Sequence, residues 1–346
     1  MPHGMNATLK RIMPQLVILA IVLLLNVLVF PDFFRIEFQN GRLFGNLVDV
    51  FNRGAPTALL CIGMTLVIAT KGIDLSVGAV MAIAGAVAAS LVVDGHGWFT
   101  ALLGALAVGS LCGLWNGVLV AMLRIQPIVA TLVLMVAGRG IAQLITEGTI
   151  LTFVNEGLIH LGAGTVLGIP TPVLIWMGLG AFITLAVRRT ALGMLIEAIG
   201  INESSSRFAG INSRVLLVSV YLISGFCAAL AGVIVAADIK GADANNAGLW
   251  LELDAILAVV IGGNSLLGGR FSIIASLIGA LIIQSVNSVI LLSGMPPEFN
   301  LVIKALIIIA ILVIQSPTVK HALYILRASA QPIQPFEKTE REEPTQ

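Results

Sequence analysis

Long apolar runs separated by short polar connections dominate the chain. A membrane-spanning helix needs about 20 apolar residues, and on that measure the sequence predicts about ten spans. The eighth run is short, which fits half of a broken helix, and totals of eight or nine spans are also compatible with the pattern. The predicted spans lie near 14–30, 54–70, 76–93, 98–120, 127–146, 170–187, 215–237, 253–263, 271–293 and 300–316.

The first apolar run also has to be compared with a signal peptide, because it follows Lys10 and Arg11. It is longer than the usual core of a signal peptide, and no small-residue cleavage site comes after it. We therefore interpret it as a retained first helix.

Composition indicates that lipid is the solvent for most of the surface. Hydrophobic residues make up 58% of the chain, charged residues 11%, and the mean hydropathy is +1.03. Soluble domains carry about 25% charged residues. We therefore expect an all-α, polytopic membrane protein. The net charge of +1 does not indicate a nucleic-acid partner, and the scattered cysteines and histidines show no metal-ligand spacing, so no metal site is predicted.

Basic residues in short connections predict the orientation, because such loops stay cytoplasmic. With ten crossings, Lys10, Arg124, the connection 188–214 and the tail all fall on the cytoplasmic side. Both termini are then cytoplasmic. The predicted division is a cytoplasmic N-terminus, a transmembrane domain that contains a cytoplasmic segment, and a cytoplasmic tail with a disordered end. These parts are 1–13, 14–316 with 188–214 inside it, and 317–346.

The 188–214 segment is the longest cytoplasmic connection between spans. We expect Gly200 to close a short helix, Asn202 to cap the next one and Gly210 to end it. Two short amphipathic helices on the membrane face would suit docking into a partner protein. An ordered linker between two halves of the chain is an equally good interpretation.

Two polar, glycine-rich breaks interrupt apolar stretches, at Lys71–Gly78 and Gly262–Arg270. Non-helical backbone at membrane depth is tolerated only where protein buries it or where it lines water. The breaks are therefore either a substrate gate or tight cytoplasmic turns, and the crossing count slightly favours turns. In either case we expect Asp74 to cap the third helix. The residues 67–76 and 260–266 resemble each other, which indicates an internal repeat or a chance similarity between apolar runs.

Arg139 and Gln143 lie on one face of the fifth run. A buried cation at that depth is costly, so we expect Arg139 to face the bundle interior and to pair with Glu147, Glu252 or Asp254. Snorkelling of its side chain to the membrane surface is the alternative.

The segment 238–250 is rich in amide and carboxylate groups and ends in Trp250. Such groups bind sugars, although a solvated loop has a similar composition. On the fourth run, Gly109, Gly113 and Gly117 allow close helix contact, either within the chain or across a dimer. None of the six lysines follows a glycine, so there is no phosphate-binding GxxxxGK[ST] loop.

Together these motifs resemble the permease subunits of bacterial carbohydrate ABC importers of the ribose type, over about residues 14–316. The segment 243–250 is similar to the galactofuranose branch of that family. The motifs are Gly72-Ile73-Asp74-Leu75-Ser76-Val77-Gly78, Asn116-Gly117 with Gln126-Pro127, Gly138-Arg139-Gly140, and Glu252-Leu253-Asp254-Ala255-Ile256 leading into Val260-Ile261-Gly262-Gly263.

The resemblance implies the fold of an ABC importer permease that carries a sugar by alternating access in the bacterial inner membrane. It implies a second permease subunit, either a related but different chain or a second copy of this one. The other implied partners are an ABC ATPase subunit, a periplasmic sugar-binding protein and the lipid bilayer. ATP and magnesium would bind the ATPase, and this chain would hold no cofactor and catalyse no reaction. An ion-coupled secondary transporter of a small polar solute is the alternative.

The resemblance also supplies the candidate site residues. Those for coupling to the ATPase are Glu197, Ala198, Gly200, Asn202, Arg207 and Gly210. Those for the substrate path or gate are Asp74, Ser76, Asn116, Gln126, Arg139, Gln143, Asn245, Asn246, Trp250, Glu252 and Asp254. The chain departs from the family pattern at Lys71, where relatives commonly have glycine, at Ser204-Ser205-Ser206 and at Asn264.

Overall fold

The computed structural model describes residues 3–39, 41–294, 296, 299, 301–306 and 309. The chain divides into two units, 1–294 and 295–346, and the elements named below belong to the first. The last predicted span, 300–316, is described only in part, and the predicted tail 317–346 lies outside the described residues.

Helices account for most of the first unit. They are α1 (His3–Val29), α2 (Asn46–Arg53), α3 (Ala55–Ala69), α4 (Val77–Val93), α5 (Trp98–Ala121), α6 (Pro127–Ile145), α7 (Glu156–Ala163), α8 (Thr171–Arg189), α9 (Leu192–Ile201), α10 (Glu203–Phe208), α11 (Ser213–Asp238), α12 (Leu251–Ile261) and α13 (Ile273–Leu292).

Among the described residues, six short strands form three antiparallel pairs in the connections. They are β1 (Glu37–Gln39), β2 (Arg42–Phe44), β3 (Leu151–Thr152), β4 (Thr165–Val166), β5 (Ile169–Pro170) and β6 (Gly241–Ala242). β1 pairs with β2, β3 with β6 and β4 with β5.

The predicted spans correspond closely to the long helices. The first helix differs, because α1 already begins at His3 and includes Pro14, whereas the sequence predicts a separate N-terminal part over 1–13. Within the described residues, six helices are long and apolar enough to cross a membrane, or seven if the bent pair α2 and α3 is one span. The expected total of about ten depends on the shorter helices α4 and α12 and on 300–316.

Two buried helices form the centre of the unit. Every residue of α3 is buried, and α11 packs against α3, α4 and α5. By contrast, α1, α5, α6 and α8 expose many large apolar side chains, which include Leu28, Leu111, Val136 and Phe182. This distribution fits a bundle that is surrounded by lipid, since the outer surface is as apolar as the core.

The glycines of α5 explain the close approach of α11. A Cβ on Gly109 would lie 2.8 Å from the carbonyl oxygen of Gly225, and one on Gly117 would lie 2.9 Å from the Cα of Val218. A Cβ on Gly113 would overlap the carbonyl oxygen of Tyr221. The small-residue repeat therefore serves contact within this chain.

The 188–214 segment marks one end of the bundle, which we call the segment end. Thr70, Ala121, Pro127 and Leu217 all line one cleft there, so α3 and α5 end and α6 and α11 begin at that level. At the opposite end, β3 pairs with β6.

Helix α12 has eleven residues, or about 16 Å, and therefore reaches only part of the way across a bilayer. It starts inside the bundle, since Gly248 lies against Gly78 at the start of α4: a Cβ on Gly248 would lie 2.9 Å from the Cα of Gly78. The eighth predicted run, 253–263, therefore corresponds to a short helix, as expected. The chain thus enters the bundle from the opposite end in non-helical form over about 243–250.

Candidate functional site

A buried polar cluster holds the break between α3 and α4. Asp74 is 1% exposed. Its Oδ1 atom accepts hydrogen bonds from the amide of Ser76 at 3.1 Å and from the Ser76 hydroxyl at 2.6 Å, and its Oδ2 atom accepts one from the Ser224 hydroxyl at 2.8 Å. The Nδ2 atom of Asn116 donates to Ser76 Oγ at 2.8 Å. The cluster therefore ties the break to α5 and α11.

The expected helix cap at Asp74 is wrong in detail. Ser76 is the residue that precedes α4, and it makes no side-chain cap hydrogen bond. Asp74 accepts the amide of Ser76 instead, one position before the helix starts. The reason is that its second oxygen is directed to Ser224, so the carboxylate bridges two elements.

Three residues of this region were not predicted. Ser224 and Tyr221 lie in the apolar run of α11, and Thr131 lies in the first turns of α6. Thr131 Oγ1 accepts a hydrogen bond from the amide of Leu75 at 3.1 Å. The Tyr221 hydroxyl is buried and has no hydrogen-bond partner among the described residues. Their only sequence signal was a polar group inside an apolar run.

Arg139 of α6 holds the non-helical stretch that precedes α12. Its NH1 group donates to the carbonyl oxygens of Ala244 at 3.0 Å and Ala247 at 2.5 Å. Backbone carbonyls therefore accept its hydrogen bonds, while the carboxylate of Glu252, one of the three expected acidic partners, interacts with Arg139 electrostatically. Non-helical backbone leaves carbonyl groups that need donors at this depth, and Arg139 supplies them. Glu252 and Asp254 are buried in the first turn of α12.

An amide cluster continues this stretch toward the opposite end. The Nε2 atom of Gln143 donates to Asn245 Oδ1 at 2.8 Å. Asp243 accepts the amides of Asn245 and Asn246 and, at 2.7 Å, the side-chain amide of Asn246. The pKa of Asp243 lies below its ordinary value, and the hydrogen bond from the Asn246 side chain is the largest cause. The two backbone amides and the charge of Arg139 lower it further.

Trp250 ends the stretch in an unusual backbone conformation. It has φ 66° and its side chain is 50% exposed; Asn245 and Asn246, five and four positions earlier, are also exposed. Amide groups that face hydrocarbon carry a high desolvation cost. These exposed residues, which we call the amide patch (Gln143, Asn245, Asn246 and Trp250), therefore suit contact with water, a polar solute or protein.

The 188–214 segment forms the two short helices that the sequence predicted. Asn202 caps α10 by accepting the amide of Ser205 at 3.1 Å. Gly210 has φ +85° two residues after α10 ends. The expected cap at Asn202 is confirmed, whereas Gly200 does not close the first helix: α9 continues through it to Ile201.

The segment exposes apolar side chains. Phe208 is 94% exposed, Met194 69% and Ile201 65%. Glu197 is half-buried and lines a groove of about 580 Å³ with Arg188 and Met194. Phe208, which was not among the predicted residues, is the only aromatic residue of the segment. Gly200, by contrast, is buried against the bundle.

The predicted site residues form three groups. The buried cluster contains Asp74, Ser76 and Asn116. The stretch before Trp250 contains Asn245 and Asn246, and Arg139 and Gln143 of α6 bind it. Gln126, Asn202 and Arg207 line a cleft of about 550 Å³ at the segment end, together with Lys71, Arg124 and Tyr221. Ala198 is half-buried on α9.

These features define a class: a multi-pass membrane permease with a broken helix at its centre and an exposed helical segment at one end. Residues 46–312 match the family described as "Branched-chain amino acid transport system / permease component". The chain belongs to this permease family, and it is therefore a transport component of the inner membrane rather than an enzyme.

Three relatives illustrate the similarity. The galactofuranose transporter permease protein of Escherichia coli strain K12 is 60% identical over 88% of this chain and 89% of its own length. The fructose import permease protein of Bifidobacterium longum is 43% identical over 84% of this chain and 83% of its own. The ribose import permease protein of Escherichia coli strain K12 is 40% identical over 87% and 91%. No solved structure matches the chain.

Proposed function

We propose that this chain is the membrane-spanning subunit of an ATP-driven importer of galactofuranose. Membership of the family implies an ATPase and a periplasmic binding protein on other chains, with ATP and magnesium on the ATPase. The sugar crosses by alternating access between two permease chains, which are related but different. Sugar rather than amino acid follows from the named relatives, which import galactofuranose, fructose and ribose.

The observation that carries the coupling part of the proposal is the exposed apolar surface of the 188–214 segment. Exposed apolar patches that polar residues surround are typical of protein interaction sites. Phe208, Ile201 and Met194 are large apolar side chains that this segment exposes, and Glu197 and Arg188 line a groove together with Met194. This segment docks on the ATPase, on the cytoplasmic side where both termini of the chain also lie.

The sugar path includes the amide patch. Amide and carboxylate groups bind hydroxyl groups, and an aromatic ring packs on the apolar face of a sugar. The patch presents both at the start of a broken helix, which is where transporters commonly bind their substrates. Asp74, Ser76 and Asn116 hold the first break, between α3 and α4, and this break acts as a gate.

Uptake by proteoliposomes tests the proposal. The purified permeases, the ATPase and the binding protein are reconstituted, and entry of labelled galactofuranose is measured with ATP inside the vesicles. Uptake is expected only when all parts and ATP are present, with galactopyranose as the matched control sugar. Omission of each protein in turn serves as the second control.

Two results would contradict the proposal. Galactofuranose uptake by this chain alone, driven by a proton or sodium gradient, would identify the ion-coupled alternative. Equal ATP-driven uptake of the pyranose and furanose forms would contradict the assigned sugar.

A further inference from the structure

Three backbone segments meet where the 188–214 segment contacts the bundle. They are the end of α3 at Ala69, the last turn of α9 at Gly200, and the connection between α12 and α13 at Gly268 and Gly269. The amide of Gly269 donates to the carbonyl oxygen of Ala69 at 2.9 Å. A Cβ on Gly200 would overlap that same oxygen and would lie 2.6 Å from the amide nitrogen of Gly269. No side chain fits between the three segments.

Lys71 ties the same segments from the side. Its Nζ atom donates to the carbonyl oxygen of Ile201 at 2.9 Å, and a Cβ on Gly268 would lie 2.5 Å from its Cγ atom. Lys71 has φ 65°, which is unfavourable for any residue with a Cβ. Residues kept in such a conformation commonly serve function. Here the strained lysine joins the first break to the last residue of α9.

The junction leads directly to the buried polar cluster. Asp74 lies three positions after Lys71 in the chain, and Asp74 is hydrogen-bonded to Ser224 of α11. Gly269 lies in the connection that leads from the broken helix α12 to α13. Closely packed backbone transmits displacement, because it cannot be compressed. Movement of α9 therefore displaces both α3 and the α12–α13 connection.

We propose that this junction (Ala69, Lys71, Gly200, Gly268 and Gly269) carries movement of the 188–214 segment to α3 and α12. Lys71 and Gly200 are then positioning residues for the transport step, and they touch neither the sugar nor the ATPase. The inference rests on the proposed function, since it requires a partner that moves the segment.

The decisive measurement is the number of sugar molecules imported per ATP hydrolysed in the reconstituted complex. Gly200→Ala is expected to lower this ratio about tenfold or more, because the added methyl group separates α9 from α3. ATP hydrolysis should continue, since the exposed surface of the segment is unchanged. The matched control is Gly178→Ala on α8, where an added Cβ meets nothing within 4 Å; its ratio should equal that of the wild type.

If the complex that carries Gly200→Ala does not assemble, the transport ratio of Lys71→Gly tests the proposal instead. Glycine accepts the φ of this position without strain, so folding should be preserved while the tie to Ile201 is lost. In Lys71→Gly the ratio is expected to fall about threefold to tenfold. Lys71→Arg, which retains a long donor, should have the ratio of the wild type. A wild-type ratio in assembled Lys71→Gly complex would overturn the proposal.

Hydrogen exchange of the full-length chain alone separates this inference from the proposed function. Lys71→Gly should increase exchange at the Gly269 amide and at 198–202 together, because the Lys71 side chain contacts both the end of α9 and the α12–α13 connection. Unchanged exchange at both places would overturn the junction even if the importer works. If the wild type shows no ATP-driven uptake, the proposed function fails, and exchange still decides whether the three segments form one unit.

Discussion

At the scale of single residues, Asp74 is the side chain on which the first break depends most. Its two oxygens accept three hydrogen bonds, from Ser76 and Ser224, and it is almost fully buried. Charged acceptors form stronger hydrogen bonds than neutral ones. The loss of this carboxylate would leave the break attached to α11 only by packing.

We expect Asp74→Ala to lower the free energy of unfolding by about 3 kcal/mol, because several buried donors lose a charged acceptor. Denaturation of the purified protein in detergent measures the change. Asp94→Ala is the control, since Asp94 is exposed, and it should change stability by less than about 0.5 kcal/mol. Equal unfolding midpoints for the two variants would show that the cluster does not hold the break.

At the scale of secondary-structure elements, the non-helical stretch before α12 is the unusual feature. Arg139 donates to two of its carbonyl oxygens, and Gln143 contacts Asn245. Helix α6 thus replaces the hydrogen bonds that the stretch would have made as a helix. The position of the amide patch therefore depends on α6.

Arg139→Met keeps an unbranched side chain and removes both donated hydrogen bonds. The free energy of local opening of 243–248 should fall by about 1–2 kcal/mol, which hydrogen exchange of the purified chain reports. Uptake should fall with it. Arg189→Met, an exposed arginine at the end of α8, is the control and should leave exchange in this stretch unchanged. The same exchange rates in both variants would contradict the role given to Arg139.

The sequence predicted elements far better than contacts. The first nine apolar runs coincide with described helices to within a few residues, apart from the start of α1 at His3, because the length of an apolar run follows from the bilayer. The partner of Asp74 lies 150 positions away, at Ser224, and those of Arg139 lie more than 100 away. A hydrophobic pattern gives the faces of helices but not their relative rotation or depth, so such pairs could not be predicted. Phe208 was missed because a single aromatic residue in a short polar helix gives no periodic signal.

At the scale of the whole molecule, the 188–214 segment exposes apolar side chains at one end of the bundle. Closely packed backbone joins the same segment to the end of α3. The exposed ring of Phe208 lies on the segment that the junction joins to α3. An ATPase that binds this ring would therefore displace α3, one of the two buried helices at the centre of the bundle.

Phe208→Asp is expected to weaken association with the ATPase by about tenfold or more, since a buried aromatic anchor contributes strongly to an interface. Co-purification and the ATPase activity of the complex measure the effect. Leu167→Asp is the matched control, because Leu167 is 96% exposed and lies in the turn between β4 and β5. Loss of association in both variants, or in neither, would contradict docking through Phe208.

The contact between α5 and α11 has an evolutionary consequence. Gly109, Gly113 and Gly117 leave no room for a larger side chain opposite α11, so selection cannot alter sugar preference by remodelling this pair. Diversification among relatives has to occur in parts that still tolerate growth, such as the exposed stretch that ends in Trp250. New substrates would then arise at the periphery of a central pair of helices whose contact admits no larger side chain.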